Sequence, residues 1–261
     1  MKADSVFGEI VDPDHPISVR HVLFVHAHPD DETLATGGSI ARLVDDGVRV
    51  SVVTATRGER GDIVPGSLAG RGESELVTVR MGELAAALDA LGVADHQWLG
   101  TPPARLADEA PRRYLDSGMQ WGADGLAAPA ADVPEDALTS APLREATDDL
   151  LALIHRSRPD LLVSYEATGG YGHPDHVRVH RIARAAAAAA GLPFVQVVPP
   201  ALATPADPAV DVSRQRPAVL RALRSYRTQL EQVHADHVVH VGGQRQDLLP
   251  VEYFRLDPPG S

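Results

Sequence analysis

Apolar, β-branched runs alternate with helical patterns along most of the chain, and this alternation limits the fold more than any other feature. Residues 21–27 (HVLFVHA), 48–56 (VRVSVVTAT), 160–165 (DLLVSY) and 194–198 (FVQVV) read as strands, and residues 97–99 as the end of a short further strand. The runs are apolar on both faces, which suits strands buried from two sides. Helical patterns occupy residues 33–46, 75–91, 143–158 and 174–190, and a last long helix is predicted over 217–233. Gly47 and Pro159 supply stops for two of them. Strand–helix alternation predicts an α/β fold: a Rossmann-like, mostly parallel sheet with helices on both faces. A single domain is expected over residues 1–261, with a core at about 20–198 and a small C-terminal extension of helix and tail over 199–261. Three stretches, 57–74, 101–142 and 199–216, are rich in Gly, Pro and charge and lack a sustained period. Segments of that kind inside a compact domain are often functional loops.

Composition removes several classes of function. The 261 residues carry 24 Lys and Arg against 36 Asp and Glu, a formal charge of −12, which disfavours a general nucleic-acid binder. With no cysteine, disulfides, thiolate nucleophiles and cysteine-held zinc are all excluded. A metal would have to be held by carboxylates and the twelve histidines. No apolar signal segment is visible in residues 1–10, and the most uniform apolar stretch, 185–198, is broken by Gly191 and Pro193. A cytoplasmic protein with no membrane partner is expected.

In a doubly wound sheet, ligands bind beyond the carboxyl ends of the strands, where strand order reverses. After the first strand a dinucleotide-binding protein carries GxGxxG; here the chain reads His28-Pro29-Asp30-Asp31-Glu32. The bland alternative is an acidic helix start with Asp30 as N-cap. After DLLVSY comes Glu166-Ala167-Thr168-Gly169-Gly170-Tyr171-Gly172-His173-Pro174-Asp175-His176, again at a strand end and a helix start. The two clusters meet if the first and fourth strands are neighbours. His28, Asp31 and His176 then offer three N/O ligands, the number that leaves catalytic zinc an open position. Asp30, His173 and Asp175 remain for proton transfer and orientation. His180, one helical turn after His176, is read as packed rather than ligating. The other histidines are read as structural or surface residues.

The segments AHPDDE (27–32) and GHPDH (172–176), with GERGD (58–62), RMGELAAALDALGV (80–93) and Asp116-Ser117-Gly118-Met119, resemble the LmbE-like, or PIG-L-like, zinc de-N-acetylases over roughly residues 20–185. Within that family the likeness is to the mycothiol-pathway enzymes, an N-acetylglucosaminyl-inositol deacetylase and a mycothiol-conjugate amidase. The resemblance implies Zn2+, with Fe2+ or another divalent metal as alternatives, on His28, Asp31 and His176, and water attacking an acetyl amide. It implies Asp30 as general base. Protonated His173 and the Tyr171 hydroxyl would steady the oxyanion, and Asp175 would orient His173. Arg80 and Asp116 would contact a small-molecule amino-sugar conjugate. Cleavage of a larger amide on the same sugar stays open, as does a homo-oligomer. A metal- or sugar-binding module without turnover is the reading from another class, and it has no use for Asp30 and His173.

Overall fold

The computed structural model describes residues 6–257 apart from 69 and 124. The ends of the expected 1–261 domain, and the first residues of the segment read as lacking a signal, lie outside the described residues. The chain runs α1 (Val6–Val11), β1 (His21–His26), α2 (Asp31–Asp45), β2 (Arg49–Thr54), α3 (Leu76–Leu91) and β3 (Asp95–Trp98). A short hairpin, β4 (Met119–Trp121) and β5 (Ala127–Pro129), interrupts the long loop. Then come α4 (Leu143–Ser157), β6 (Leu161–Tyr165), the single turn α5 (Gly169–Gly172), α6 (Pro174–Ala190) and β7 (Phe194–Val198). The C-terminal part holds β8 (Ala209–Asp211), α7 (Arg216–Leu223), β9 (Leu230–Val233), β10 (His237–His240), β11 (Arg245–Asp247) and β12 (Val251–Leu256).

Seven strands form the main sheet in the order β3-β2-β1-β6-β7-β12-β8. The first five are parallel, and β12 runs antiparallel to both β7 and β8. Every residue of β1, β6 and β7 is buried, as expected of strands covered on both faces. From β1 the chain winds outward through β2 and β3, then returns to β6 on the other side of β1. The order therefore reverses between β1 and β6, and a crevice opens beyond their carboxyl ends. The HPDDE turn and the 166–176 loop both emerge there. Helix ends follow local chemistry: Gly191 closes α6 at φ 67°, a left-handed conformation that costs glycine little.

Two expectations are corrected. The predicted helix over 217–233 ends at Leu223, and residues 230–233 are a strand. The reason is tertiary. Tyr226 is pulled fully into the core, where its hydroxyl bonds Glu32, and the Thr228 backbone N–H and hydroxyl both donate to Glu83. A continuous helix would rotate these side chains off their partners. The C-terminal region is also more than a helix and tail, because β12 is an inner strand of the main sheet and β9–β11 form a sheet of their own. Phe254 of β12 packs edge-on against Phe7 at 4.9 Å, which ties the unforeseen α1 to the core. No helix of the described residues is long and apolar enough to cross a membrane.

Candidate metal centre and its surroundings

The adjacency of β1 and β6 brings both histidine–aspartate clusters together. Asp31 opens α2, and its Oδ2 lies 3.2 Å from His28 Nδ1 and 3.3 Å from His176 Nε2. Two hydrogen bonds hold that carboxylate. It accepts from the His28 backbone N–H at 2.9 Å and from the Tyr165 hydroxyl at 2.7 Å, and that hydroxyl accepts in turn from Ala27 N–H at 2.8 Å. Burial opposes the charge on Asp31, but His176 and His28 outweigh it and keep the carboxyl well below its ordinary range.

His176 is oriented by its other nitrogen. Its Nδ1–H donates to the Gly169 carbonyl at 3.2 Å, and the ring stacks on Tyr165 with centroids 4.3 Å apart and planes 6° from parallel. That fixes the tautomer with the Nε2 lone pair facing Asp31, and Nε2 is buried without a hydrogen-bond partner. A buried, unpaired acceptor is costly unless something fills it. On His28, Nε2 lies 3.1 Å from Asp175 Oδ2 and 3.9 Å from Asp116 Oδ1, which leaves Nδ1 toward Asp31. Burial disfavours a charged His28, yet Asp116, Asp175 and Asp31 hold its pKa well above the ordinary value. Imidazole nitrogens and a carboxylate oxygen converging in a buried site fit a divalent cation of the zinc type. His173 shares the cluster: one nitrogen each from His28, His173 and His176 lie within 4.8 Å of one another.

Asp30 sits between the two expected ligands in sequence but not in conformation. Its φ of 106° is strained for a residue with a side chain, and although Asp30 stands at the N-cap position of α2, its carboxylate makes no capping bond. The Asp30 N–H is held instead by Glu32 Oε2 at 3.1 Å. Burial, then the neighbouring Asp31 and Glu32, push the Asp30 carboxyl well above its ordinary pKa.

His173 caps α6, with Nδ1 accepting from the Asp175 backbone N–H at 3.1 Å. Two expectations change here. Asp175 orients His173 through its main chain, whereas its carboxylate is spent on His28 and on the N–H and hydroxyl of Ser117. And burial, with His28 and His176 alongside, pushes the His173 pKa down to about 2, so the ring is neutral with its proton on Nε2. The Tyr171 ring lies at the mouth, 5.3 Å from His176, 5.9 Å from His173 and 5.9 Å from Trp121.

Arg80 and Asp116 both line the cavity that holds the cluster, and neither is a surface group, at 1% and 4% exposed. Arg80 gives its guanidinium to the carbonyls of Gly58, Gly61 and Asp62, and so folds the 58–62 loop against the site. Asp116 Oδ1 accepts from Gly118 N–H at 2.8 Å while facing His28. His180 is tied to the Tyr165 carbonyl at 2.8 Å, away from the cluster. Tyr165 and Ser117 escaped the reading of the sequence. A strand-end tyrosine carries no motif, Ser117 was given no role although it stands in the 116–119 segment, and only the folded chain shows that they touch Asp31 and Asp175.

The family model for PIG-L, described as GlcNAc-PI de-N-acetylase, matches residues 23–187. A 1D-myo-inositol 2-acetamido-2-deoxy-alpha-D-glucopyranoside deacetylase from Nocardioides sp. is 45% identical over 177 residues, 67% of this chain and 56% of that protein. The enzyme of that name from Actinosynnema mirum is 39% identical over 90% of this chain and 91% of its own length. The chain spans about half the length of several curated relatives it matches. Among solved structures, a deacetylase of teicoplanin biosynthesis superposes with a TM-score of 0.58 at 24% identity, covering 79% of this chain and 84% of that one, a likeness of fold. With the paired motifs at the switch point and 39% identity along nearly the whole chain, this protein belongs to the PIG-L family of de-N-acetylases.

Proposed function

We propose that the protein is a zinc-dependent de-N-acetylase that releases acetate from an N-acetylglucosamine conjugate. The observation that carries this reading is the His176 Nε2 atom, buried, unpartnered and 3.3 Å from Asp31 Oδ2. His28, Asp31 and His176 would hold the metal. Zinc, when bound, supplies Lewis acidity toward the acetyl carbonyl and makes water a nucleophile at neutral pH. Asp30 takes the proton from that water as it attacks the acetyl carbon. Its raised proton affinity suits a base that must then deliver the proton to the departing nitrogen. Neutral His173 donates from Nε2 to the carbonyl oxygen as negative charge grows there. The protein around it need not supply a proton for this, because a neutral imidazole N–H polarises a carbonyl. The C–N bond breaks, and acetate and a free amino sugar leave. Arg80 and Asp116 shape the sugar side, Arg80 through the loop it holds. The names of the relatives support glucosaminyl-inositol as the conjugate to try first. A small polar substrate of that kind agrees with a cytoplasmic location.

The test is acetate release across N-acetylglucosamine conjugates, with metal content measured on the same sample. Chelated protein should be inactive and recover with zinc. His28→Ala, Asp31→Ala and His176→Ala should each lose metal and turnover together. Full activity in metal-free protein would overturn the reading.

A further inference from the structure

We propose that Glu32 and Tyr226 are positioning residues for the reaction, which together hold the Asp30 main chain in the one conformation that turns its carboxylate into the cavity; this rests on the de-N-acetylase reading. Asp30 lines the cavity of the metal centre, whereas Glu32 and Tyr226 lie behind it, each 0% exposed. Neither reaches a substrate, so the part they play passes through Asp30. The link is the main chain. The Asp30 carbonyl accepts from the N–H groups of Thr33 and Leu34, at 3.0 and 2.9 Å. The Asp30 N–H donates to Glu32 Oε2 at 3.1 Å. Both peptide planes that flank its Cα are thus gripped, at φ 106° and ψ −31°, outside the regions a residue with a side chain prefers. A conformation of that kind persists only where its surroundings over-determine it.

Glu32 is fixed in turn by a distant segment. Its Oε1 accepts from the hydroxyls of Thr33 and Tyr226, and Tyr226 lies between α7 and β9. Thr228, two residues on, is anchored separately, its N–H and hydroxyl donating to Glu83 of α3. The Tyr226 hydroxyl therefore meets Glu32 from a backbone that is itself held. Thr33 alone does not fix the carboxylate, because it stands on the same turn of α2 and moves with it. Glu32 is a costly residue where it stands. Its three donors are all neutral, and the neighbouring Asp31 repels its charge. A position needed only for packing is better served by an apolar side chain. What the carboxylate supplies, and a hydrocarbon cannot, is an acceptor for the Asp30 N–H.

The test compares Glu32→Met, Glu32→Gln and Tyr226→Phe in the zinc-loaded full chain. Methionine fills much the same space without an acceptor. Glutamine keeps one oxygen for the Asp30 N–H, and the hydroxyls of Thr33 and Tyr226 can turn to accept from its amide. Glu32→Met should lower kcat for acetate release about 10–100-fold, as a misplaced reacting group does, with KM and zinc Kd within about twofold of wild type. Tyr226→Phe should lower kcat about two- to tenfold, and Glu32→Gln should restore most of the wild-type kcat. In an Asp30→Asn background, Glu32→Met should cost no more than about a further twofold, because the group it positions is already gone. Equal losses in the two backgrounds, a wild-type kcat in Glu32→Met, or a loss of zinc affinity that accounts for the lost turnover each overturn the proposal. The backbone carbon chemical shifts of Asp30, which follow φ and ψ, read the grip without turnover. They should move in Glu32→Met and stay in Glu32→Gln. If Glu32→Met does not fold, Tyr226→Phe carries both comparisons, and wild-type kcat and shifts in it overturn the pair. Moved shifts with no acetate released by the wild type fail the de-N-acetylase reading alone, and acetate with unmoved shifts fails the positioning pair alone.

Discussion

Tyr165→Phe isolates what holds the Asp31 carboxylate in place. The substitution keeps the ring that stacks on His176 at 4.3 Å and removes only the hydroxyl. Two bonds go with it: the 2.7 Å donation to Asp31 Oδ2 and the 2.8 Å acceptance from Ala27 N–H. A hydrogen bond to a charged group contributes about 1.5–3 kcal/mol, and the abandoned Ala27 N–H adds the cost of a buried unpaired donor, about 1–3 kcal/mol. Partners that orient metal ligands typically change metal affinity by about 10–100-fold when removed. Zinc Kd, measured by competition with a chromophoric chelator, should therefore rise by about 10–100-fold, and the thermal midpoint of the apo protein should fall. Turnover at saturating zinc should recover most of its wild-type value, because no reacting atom is touched. A zinc Kd within twofold of wild type, with the midpoint lowered, would show that Tyr165 is a packing residue and that Asp31 is held by His28 N–H alone.

Asp30→Asn keeps a residue type tolerant of positive φ while losing the proton acceptor. Turnover should drop at least about 10²-fold with metal content unchanged, and metal loss instead would make Asp30 a ligand. Arg80→Lys cannot serve the carbonyls of Gly58, Gly61 and Asp62 together, so KM should rise and the thermal midpoint fall while zinc stays bound; an unchanged KM would separate the 58–62 loop from the substrate. Asp207 is held well below the ordinary carboxylate pKa by its paired bonds to Arg255, at 2.7 and 2.6 Å, and by Thr204. A depressed folded-state pKa stabilises the fold above the unfolded value of about 3.9 and ceases to do so as pH falls through the folded one. Asp207→Asn should thus unfold more readily than wild type at pH 7, with the gap closing toward strongly acidic pH in denaturant titrations; a gap of constant size would refute the charge-based account.

What the sequence made legible is local chemistry at predictable places. HPDD after one apolar strand and HPDH after another could be placed in one crevice because strand adjacency follows from doubly wound topology, and β1 does lie beside β6. The parts that stayed hidden depend on contacts between distant segments. Ser117 meets Asp175 across 58 positions, and Tyr226 meets Glu32 across 194. Tyr226 also ends the last helix early, since its hydroxyl at Glu32 outweighs the helical pattern of residues 217–233. Asp175 shows a subtler limit. Its place beside His173 suggested a carboxylate facing an imidazolium, but at the start of α6 the backbone N–H points at His173 and the carboxylate swings to His28. Helix geometry at the first turn, not residue type, sets that division. One consequence bears on the proposed mechanism: with Nδ1 of His173 filled by a main-chain donor, that nitrogen is not free to act as a base, and the proposal gives the base role to Asp30.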